Sequence, residues 1–236
     1  MGALTVEIDD GLDFNLWTAF ADLMLALTLV LSLLLFLITA VVSFGNINLQ
    51  PIKDNQQQMI NSIATNYRVE AKEIAKDSFG ISTTSSGYFD IQIKNDLNIQ
   101  RVTFSDRILF RPDETKINPT GQEILKVMGG TLRQQLGIIK EIQIQGHADT
   151  LKSARFSSNT QLAAMRAISV LEFFQNKIGI DPFQTLISAT TFGEFNSVNR
   201  SKTQEPYSKQ QVDSDNRTSE LRTMNRRIEI VLIYRH

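Results

Sequence analysis

Apolar residues run without a charge from Leu23 to Phe44, which is 22 positions in succession. At about 1.5 Å per residue, an α-helix of this length covers about 33 Å, enough to cross a bilayer hydrocarbon core of about 30 Å. We therefore predict a transmembrane helix over residues 16–44. The acidic residues before it and the length of the run are unlike a cleavable signal peptide, so residues 1–15 are predicted to be a retained tail.

One carboxylate, Asp22, stands at the start of this apolar run. If the helix begins at Leu16, Asp22 lies about 9 Å inside it, where a carboxylate costs about 2.5–3.5 kcal/mol on insertion scales and is usually functional. If the span begins at Leu23 instead, Asp22 is a solvated flanking residue. Trp17, an interfacial anchor, and the apolar residues 19–21 favour the first interpretation.

The next segment, residues 45–85, is predicted to be a connector. Its first residues, GNINLQP at 45–51, predict a helix break, and residues 53–79 predict a second helix with apolar side chains seven apart, at Ile60, Tyr67 and Ile74. This helix either lies on its own domain or pairs with a second copy just outside the membrane. The Gly- and hydroxyl-rich residues 80–87 are typical of a flexible joint.

From residue 86 onwards, strand and helix patterns alternate. A helix opens at Thr120, with Glu123 placed for a capping box, whereas residues 196–220 form a polar loop without periodicity. Another helix is predicted over residues 158–178, and strands over residues 88–94, 98–104, 138–150, 185–192 and 227–234. This order predicts an α/β or α+β sandwich in which helices cover one sheet.

Composition excludes several functions. The chain has 24 Lys and Arg against 25 Asp and Glu, a net charge of −1, so nothing indicates a nucleic-acid partner. It has no Cys and only two His, His147 and His236, which argues against a thiolate or His-rich metal site and against a Ser-His-Asp triad. No Gly-rich phosphate loop occurs. We expect a protein that is not an enzyme and holds no cofactor or metal.

Five segments follow in order the pattern of the OmpA-like peptidoglycan-binding domain, in a version close to that of MotB: LFRPDETKINPTG, EIQIQGHADT, RFSSNTQLAAMRAISVLEFF, IDPFQTLISATTFGEFNSV and RTMNRRIEIVL. This resemblance covers about residues 100–236. At the N-terminus, WTAFADLMLAL resembles the membrane segment of the MotB family of ion-driven motor subunits. The fold implied is a single N-terminal transmembrane helix, a short connector helix and an α/β OmpA-like, MotB-type sandwich over residues 86–236.

The resemblance implies the B subunit of a rotary stator in the bacterial inner membrane. Two copies would stand inside five MotA/ZorA-like subunits, with Asp22 carrying the ion, and the small residues Ala19 and Ala26 would allow close helix approach. H⁺ is favoured over Na⁺, because hydroxyls such as Thr28 and Ser32 usually bond to their own helix. Lys and Arg give no orientation signal, but a wall-binding domain implies a cytoplasmic N-terminus and a periplasmic C-terminal domain.

Three functions fit this resemblance. The acidic tail and the compact connector favour a Zorya-type anti-phage defence motor over a flagellar stator. The third is a passive cell-wall tether, which has no need of Asp22.

The resemblance also assigns a peptidoglycan site. Asp149 and Arg166 would hold the amine and carboxylate of diaminopimelate, and Thr150, Asn159 and Leu162 would line the same groove. On the last segment, Asn225 and Arg226 contact the ligand or brace the loop, and bracing is favoured. Two departures, Ala148 and Ala163, stand where hydroxyl residues are common in the family, which predicts a less polar wall.

Overall fold

The computed structural model describes residues 16–82, 89–201 and 206–235, with side chains except at 16 and 44–48. The predicted tail, residues 1–15, lies outside the described residues, as do residues 83–87 of the predicted joint. The first residues of that joint belong to a strand, Ser78–Ile81. Contacts divide the chain into two units, Met1–Asn48 and Leu49–His236.

Helix α1, Leu16–Tyr67, begins in the first unit and contains the apolar segment Trp17–Ser43, which is long and apolar enough to cross a membrane. None of this segment is buried inside the protein, and Asp22 is likewise exposed. The Thr28 hydroxyl donates to the carbonyl oxygen of Leu25 at 2.9 Å. The first unit therefore has the surface of a lipid-facing helix, with one carboxylate near its beginning.

The predicted helix break over residues 45–51 is wrong, because helix α1 continues through Pro51. Proline removes one backbone donor and usually kinks or ends a helix. Here the turns that follow are stabilised by burial of Ile52 and Met59 in the core of the second unit. This packing depends on residues distant in sequence, so local propensity does not reveal it.

The prediction of a helix reaching Phe79 is also wrong. Helix α1 ends at Tyr67, Arg68 takes a left-handed φ of +53°, and a hairpin of β1, Lys72–Ala75, and β2 follows. The apolar stripe of α1 packs into the core of its own domain through residues that include Ile60, Ile63 and Ala64. This stripe is available for pairing two copies only if it leaves that core.

The domain is built on a seven-stranded sheet in the order β1-β2-β3-β4-β7-β5-β6. All neighbours are antiparallel except β5 and β6, which are parallel. The central strands alternate buried apolar side chains with polar ones. The remaining strands are β3 Ile91–Asn95, β4 Ile99–Ser105, β5 Ile139–His147, β6 Leu186–Gly193 and β7 Arg227–Tyr234.

Helices connect these strands and cover the apolar face. Helix α3 is capped by Asn118, whose side chain accepts from the backbone nitrogen of Gly121 at 2.7 Å, so the predicted cap at Thr120 is wrong. The predicted loop 196–220 contains α5 and the start of α6. The helices are α2 Asp106–Leu109, α3 Pro119–Gln135, α4 Asn159–Phe173 continued by a π-helical turn Phe174–Ile178, α5 Lys209–Asp215 and α6 Ser219–Asn225.

Close contact between α4 and β5 requires a glycine at position 146. A Cβ atom there would lie 2.1 Å from the carbonyl oxygen of Ala163. We expect Gly146→Ala to lower the free energy of unfolding by about 1–3 kcal/mol, because backbone must shift to admit the methyl group. Chemical unfolding of the full chain in detergent, followed by circular dichroism, measures this.

Gly130 provides the matched control. It is exposed in α3, and an added Cβ meets nothing within 4 Å. Gly130→Ala should therefore stabilise the domain by up to about 1 kcal/mol, since alanine favours the helix. Equal effects of the two substitutions would contradict the close contact.

Candidate functional site

Loops from three parts of the chain meet at one end of the sheet, where β4 and β5 end and β7 begins. The backbone nitrogen of Asp106 donates to the carbonyl oxygen of Arg226 at 3.1 Å, and that of Ala148 donates to Gly193 at 2.8 Å. These bonds join the loop after β4 to the start of β7, and the loop after β5 to the end of β6. Charged side chains on these loops are thereby brought close together.

Two acids and two arginines form a chain of ion pairs at this end, and we call them the groove cluster: Asp106, Asp149, Arg166 and Arg226. The guanidinium of Arg166 lies 2.9 Å from Asp106, and that of Arg226 lies 3.5 Å from Asp106 and 2.5 Å from Asp149. The cluster has no net formal charge. It can therefore rearrange around a ligand that carries both an amine and a carboxylate.

Arg166, on α4, is the most enclosed member. Its Nε atom donates to the carbonyl oxygen of Glu114 at 2.9 Å, and its guanidinium carbon lies 5.2 Å from the centre of the Phe110 ring. Burial raises the pKa of Asp106, and the charges of Arg166 and Arg226 oppose that effect. Arg166 therefore fixes the loop that follows α2.

Asp149 lies in the turn after β5. One carboxylate oxygen accepts from the backbone nitrogen of Leu151 at 3.1 Å, and its carbonyl oxygen accepts from the Asn159 side chain at 2.9 Å. Thr150 is half-buried and Leu162 is buried nearby in sequence on α4. The predicted residues Asp149 and Arg166 are joined through Asp106 and Arg226, and no direct ion pair is recorded between them within the described ranges.

The two residues from the last segment differ in role. Asn225 is buried and braces the preceding loop, because its side chain accepts from Val198 at 2.9 Å and donates to the carbonyl oxygen of Asp215 at 3.0 Å. Arg226 is the most exposed member of the groove cluster, with 32% of its side chain accessible against 4% for Arg166. The cation that faces solvent is therefore Arg226.

Sequence reasoning missed Asp106 and Asp113. Asp106 is a buried acid before an apolar run, a pattern that indicates a paired charge. Asp113 has a left-handed φ of +57°, and its carboxylate accepts from the Ser153 hydroxyl at 2.5 Å and the Ala154 nitrogen at 3.0 Å. The Ser153 bond lowers the pKa of Asp113. Asp113 thus ties the loop before α3 to the loop after β5.

The prediction of a less polar groove wall has to be divided. Ala163 is 1% exposed and lies against Gly146, between α4 and β5. A hydroxyl there would point into the packing between helix and sheet. Ala148, the other departure, is also buried. The polarity of the groove is set instead by the charged cluster.

His147 is buried against Phe192, with ring centres 5.2 Å apart and planes at 18°. Burial, followed by the charge of Arg227, lowers the pKa of His147 to about 3. Its imidazole is therefore neutral at physiological pH. Among the described residues, no cluster of three His, Cys, Asp or Glu is arranged to hold a metal ion.

Residues 109–211 match the model of the OmpA family. The uncharacterized protein YtxE of Bacillus subtilis (strain 168) is 26% identical over 133 residues, which cover 56% of this chain and 47% of that protein. The chain thus spans about half the length of this relative.

Solved structures show the same fold. A putative MotB-like protein from Desulfovibrio vulgaris has a TM-score of 0.54 at 23% identity, covering 78% of this chain and 93% of that one. The periplasmic domain of Helicobacter pylori MotB has a TM-score of 0.52 at 17% identity, covering 68% of this chain and 89% of that one. The predicted fold class is confirmed: the chain combines an N-terminal apolar helix with a mixed α/β OmpA-like domain whose structure is similar to MotB periplasmic domains.

Proposed function

We propose that this chain is the peptidoglycan-anchored B subunit of an ion-driven rotary motor. The observation that carries the proposal is the combination of a lipid-facing helix containing Asp22 with an OmpA-like domain that presents a charged groove. Two copies of the chain would stand inside a ring of five MotA/ZorA-like membrane subunits. The fixed domain would hold the B helices while the ring turns.

Ion transfer is assigned to Asp22. In a low-dielectric site the charge on a carboxylate changes the local free energy by several kcal/mol, so binding and release of an ion can alternate two packings of the surrounding helices. We propose H⁺ rather than Na⁺. Na⁺ needs several oxygen ligands, and the Thr28 hydroxyl already donates to its own helix.

The groove is proposed to bind peptidoglycan stem peptides. Diaminopimelate offers a carboxylate that fits the guanidinium of Arg226 and an amine that fits Asp149, so the ligand replaces their mutual ion pair. Thr150 and Leu162 would line the groove. Asn159 shapes the turn, and two further side chains hold the loops, Arg166 and Asn225.

Cellular placement follows from this ligand. The chain would cross the inner membrane once, with its N-terminus in the cytoplasm and the OmpA-like domain in the periplasm. A Zorya-type defence motor is proposed over a flagellar stator, because the domain core already includes Ile52, only nine positions beyond Ser43 at the end of the apolar segment. Neighbouring genes for nucleases or helicases, as opposed to flagellar genes, test this choice.

A sedimentation assay with purified cell wall tests the groove. The Arg226→Ala chain, full length in detergent, should bind sacculi at least tenfold more weakly, since loss of one charge-assisted partner costs about 2 kcal/mol or more. Asp149→Asn should weaken binding in the same direction. Arg133, exposed in the last turn of α3, provides the control, and Arg133→Ala should bind as the unchanged protein does. Undiminished binding by Arg226→Ala and Asp149→Asn would refute the site.

A further inference from the structure

The face of the sheet opposite to α4 carries a continuous row of planar polar side chains. Along β5, buried Ile142 and Ile144 alternate with half-buried polar residues on this open face. Gln143 donates to Glu141 at 2.8 Å, and Gln145 donates to Gln143 at 3.2 Å. The row continues onto β4 and β7, where Arg101 donates to Gln145 at 3.1 Å and pairs with Glu229.

An aromatic ring lies at one end of this row. Phe192 is 41% exposed, and one face of its ring is stacked on the buried His147. Because the imidazole is fixed in the core, the orientation of the phenyl ring is fixed as well, and its other face is open. Phe195 is also exposed, and its backbone nitrogen bonds to the carbonyl oxygen of Phe192 at 3.0 Å.

The phenyl ring adjoins the groove cluster through the backbone. Ala148 and Gly193 are joined by a hydrogen bond of 2.8 Å, and their chain neighbours are Asp149 and Phe192. A ligand seated on Asp149 and Arg226 therefore has the ring of Phe192 beside it. The groove and the open face meet at this point.

This combination of groups matches a sugar. A pyranose ring presents C–H groups on one face, which pack on an aromatic ring, and hydroxyl or acetamide groups at its edge, which pair with amide, carboxylate and guanidinium planes. Two arginines, Arg101 and Arg227, balance Glu141 and Glu229 along the row, so the surface favours a ligand without net charge.

We propose that Phe192 and the adjoining polar row, led by Gln145, bind the amino-sugar strand of peptidoglycan. This inference rests on the proposed function, which places a stem peptide in the groove. Diaminopimelate is the third residue of the stem, so a sugar lies about 10 Å away along an extended peptide. The peptide in the groove and the sugar on Phe192 would thus belong to one ligand.

Two defined probes separate the sugar contribution from that of the peptide: the free tripeptide L-Ala-γ-D-Glu-diaminopimelate, and the same tripeptide on its N-acetylglucosamine–N-acetylmuramic acid disaccharide. Calorimetry with the full chain in detergent measures both dissociation constants. We expect the disaccharide form to bind about tenfold more tightly, which corresponds to about 1.4 kcal/mol. Phe192→Ala should reduce this ratio towards one and leave the affinity for the free tripeptide unchanged.

Two further variants secure the interpretation. Phe192→Leu keeps an apolar contact on His147 but removes the aromatic face, and it should also reduce the ratio. Phe183→Ala removes a side chain that is 97% exposed just before the opposite end of β6, and it should leave the ratio unchanged.

The outcomes also separate this inference from the proposed function. A ratio near one in the unchanged protein, or a ratio unaffected by Phe192→Ala, overturns the sugar site while the peptide site stands. Failure of the unchanged protein to bind the tripeptide overturns the peptide site itself. Self-association of the chain that Phe192→Ala abolishes, with no effect on the ratio, would assign the open face to a second copy instead.

Discussion

Exchange of Asp22 for Asn is expected to abolish ion conduction while the chain still folds, inserts and binds the cell wall. Asparagine has nearly the volume of aspartate and keeps a polar group, but it neither gains nor loses a proton near pH 7. If the charge state of residue 22 biases two helix packings, fixing that state stops the cycle. Asp22→Glu should keep part of the conduction, because the titrating group remains.

Proteoliposomes that contain this chain with its MotA-like subunits allow the measurement. A pH-sensitive dye inside the vesicles reports H⁺ entry under an imposed potential, and replacing Na⁺ in the buffer tests the choice of ion. Asp54→Asn, which removes an exposed acid beyond the apolar segment, is the control and should conduct normally. Full conduction by Asp22→Asn would exclude the ion-carrier role, and absence of conduction in the unchanged complex would favour the passive tether.

Strong periodicity explains which elements the sequence predicts well. The last strand was expected over residues 227–234 and is observed over Arg227–Tyr234, because its residues alternate and a polar segment precedes it. Strand β5 and helix α4 likewise follow patterns sustained over 9 and 15 residues. In each case burial is regular along the element, so local pattern and tertiary packing agree.

Errors occurred where tertiary packing outweighed a local signal. Pro51 is a helix breaker by itself, but Ile52 and Met59 are buried in the domain core directly after it. Ile74 fits a heptad with Ile60, yet it lies in strand β1 and is exposed. A heptad spacing read without its partner surface cannot distinguish these outcomes.

Within the site, the sequence indicated residues but not their pairing. Arg166 pairs with Asp106, which lies 60 positions earlier, and Arg226 pairs with Asp149, 77 positions earlier. Such contacts depend on how β4, β5 and β7 are ordered in the sheet. The resemblance supplied Asp149 and Arg166, whereas the exposed position of Arg226 became evident only from the folded domain.

Removal of Asp106 is expected to have the largest effect on stability. Asp106→Ala leaves Arg166 buried without its carboxylate, and breaking a buried ion pair in this way costs about 3–5 kcal/mol. It also removes the second acid beside Arg226, which then pairs with Asp149 alone. Sacculus binding should fall as well, because the loops that carry the groove lose their common anchor.

Urea unfolding of the full chain in detergent measures the stability change. Trp17 is the only tryptophan and lies in the apolar helix, so far-ultraviolet circular dichroism is the suitable probe for the domain. Asp213→Ala removes an acid whose ion pair with Lys209 is exposed, and it should cost less than about 1 kcal/mol.

A second variant distinguishes the unpaired charge from a simple loss of packing. Combining Asp106→Ala with Arg166→Met removes both charges of the most buried pair and fills the guanidinium space with an apolar chain. We expect the double variant to be more stable than Asp106→Ala alone, because no buried cation then remains unpaired on α4. If Asp106→Ala is no more destabilising than Asp213→Ala, the groove loops are held by their backbone bonds, and Asp106 has no special part in holding the site together.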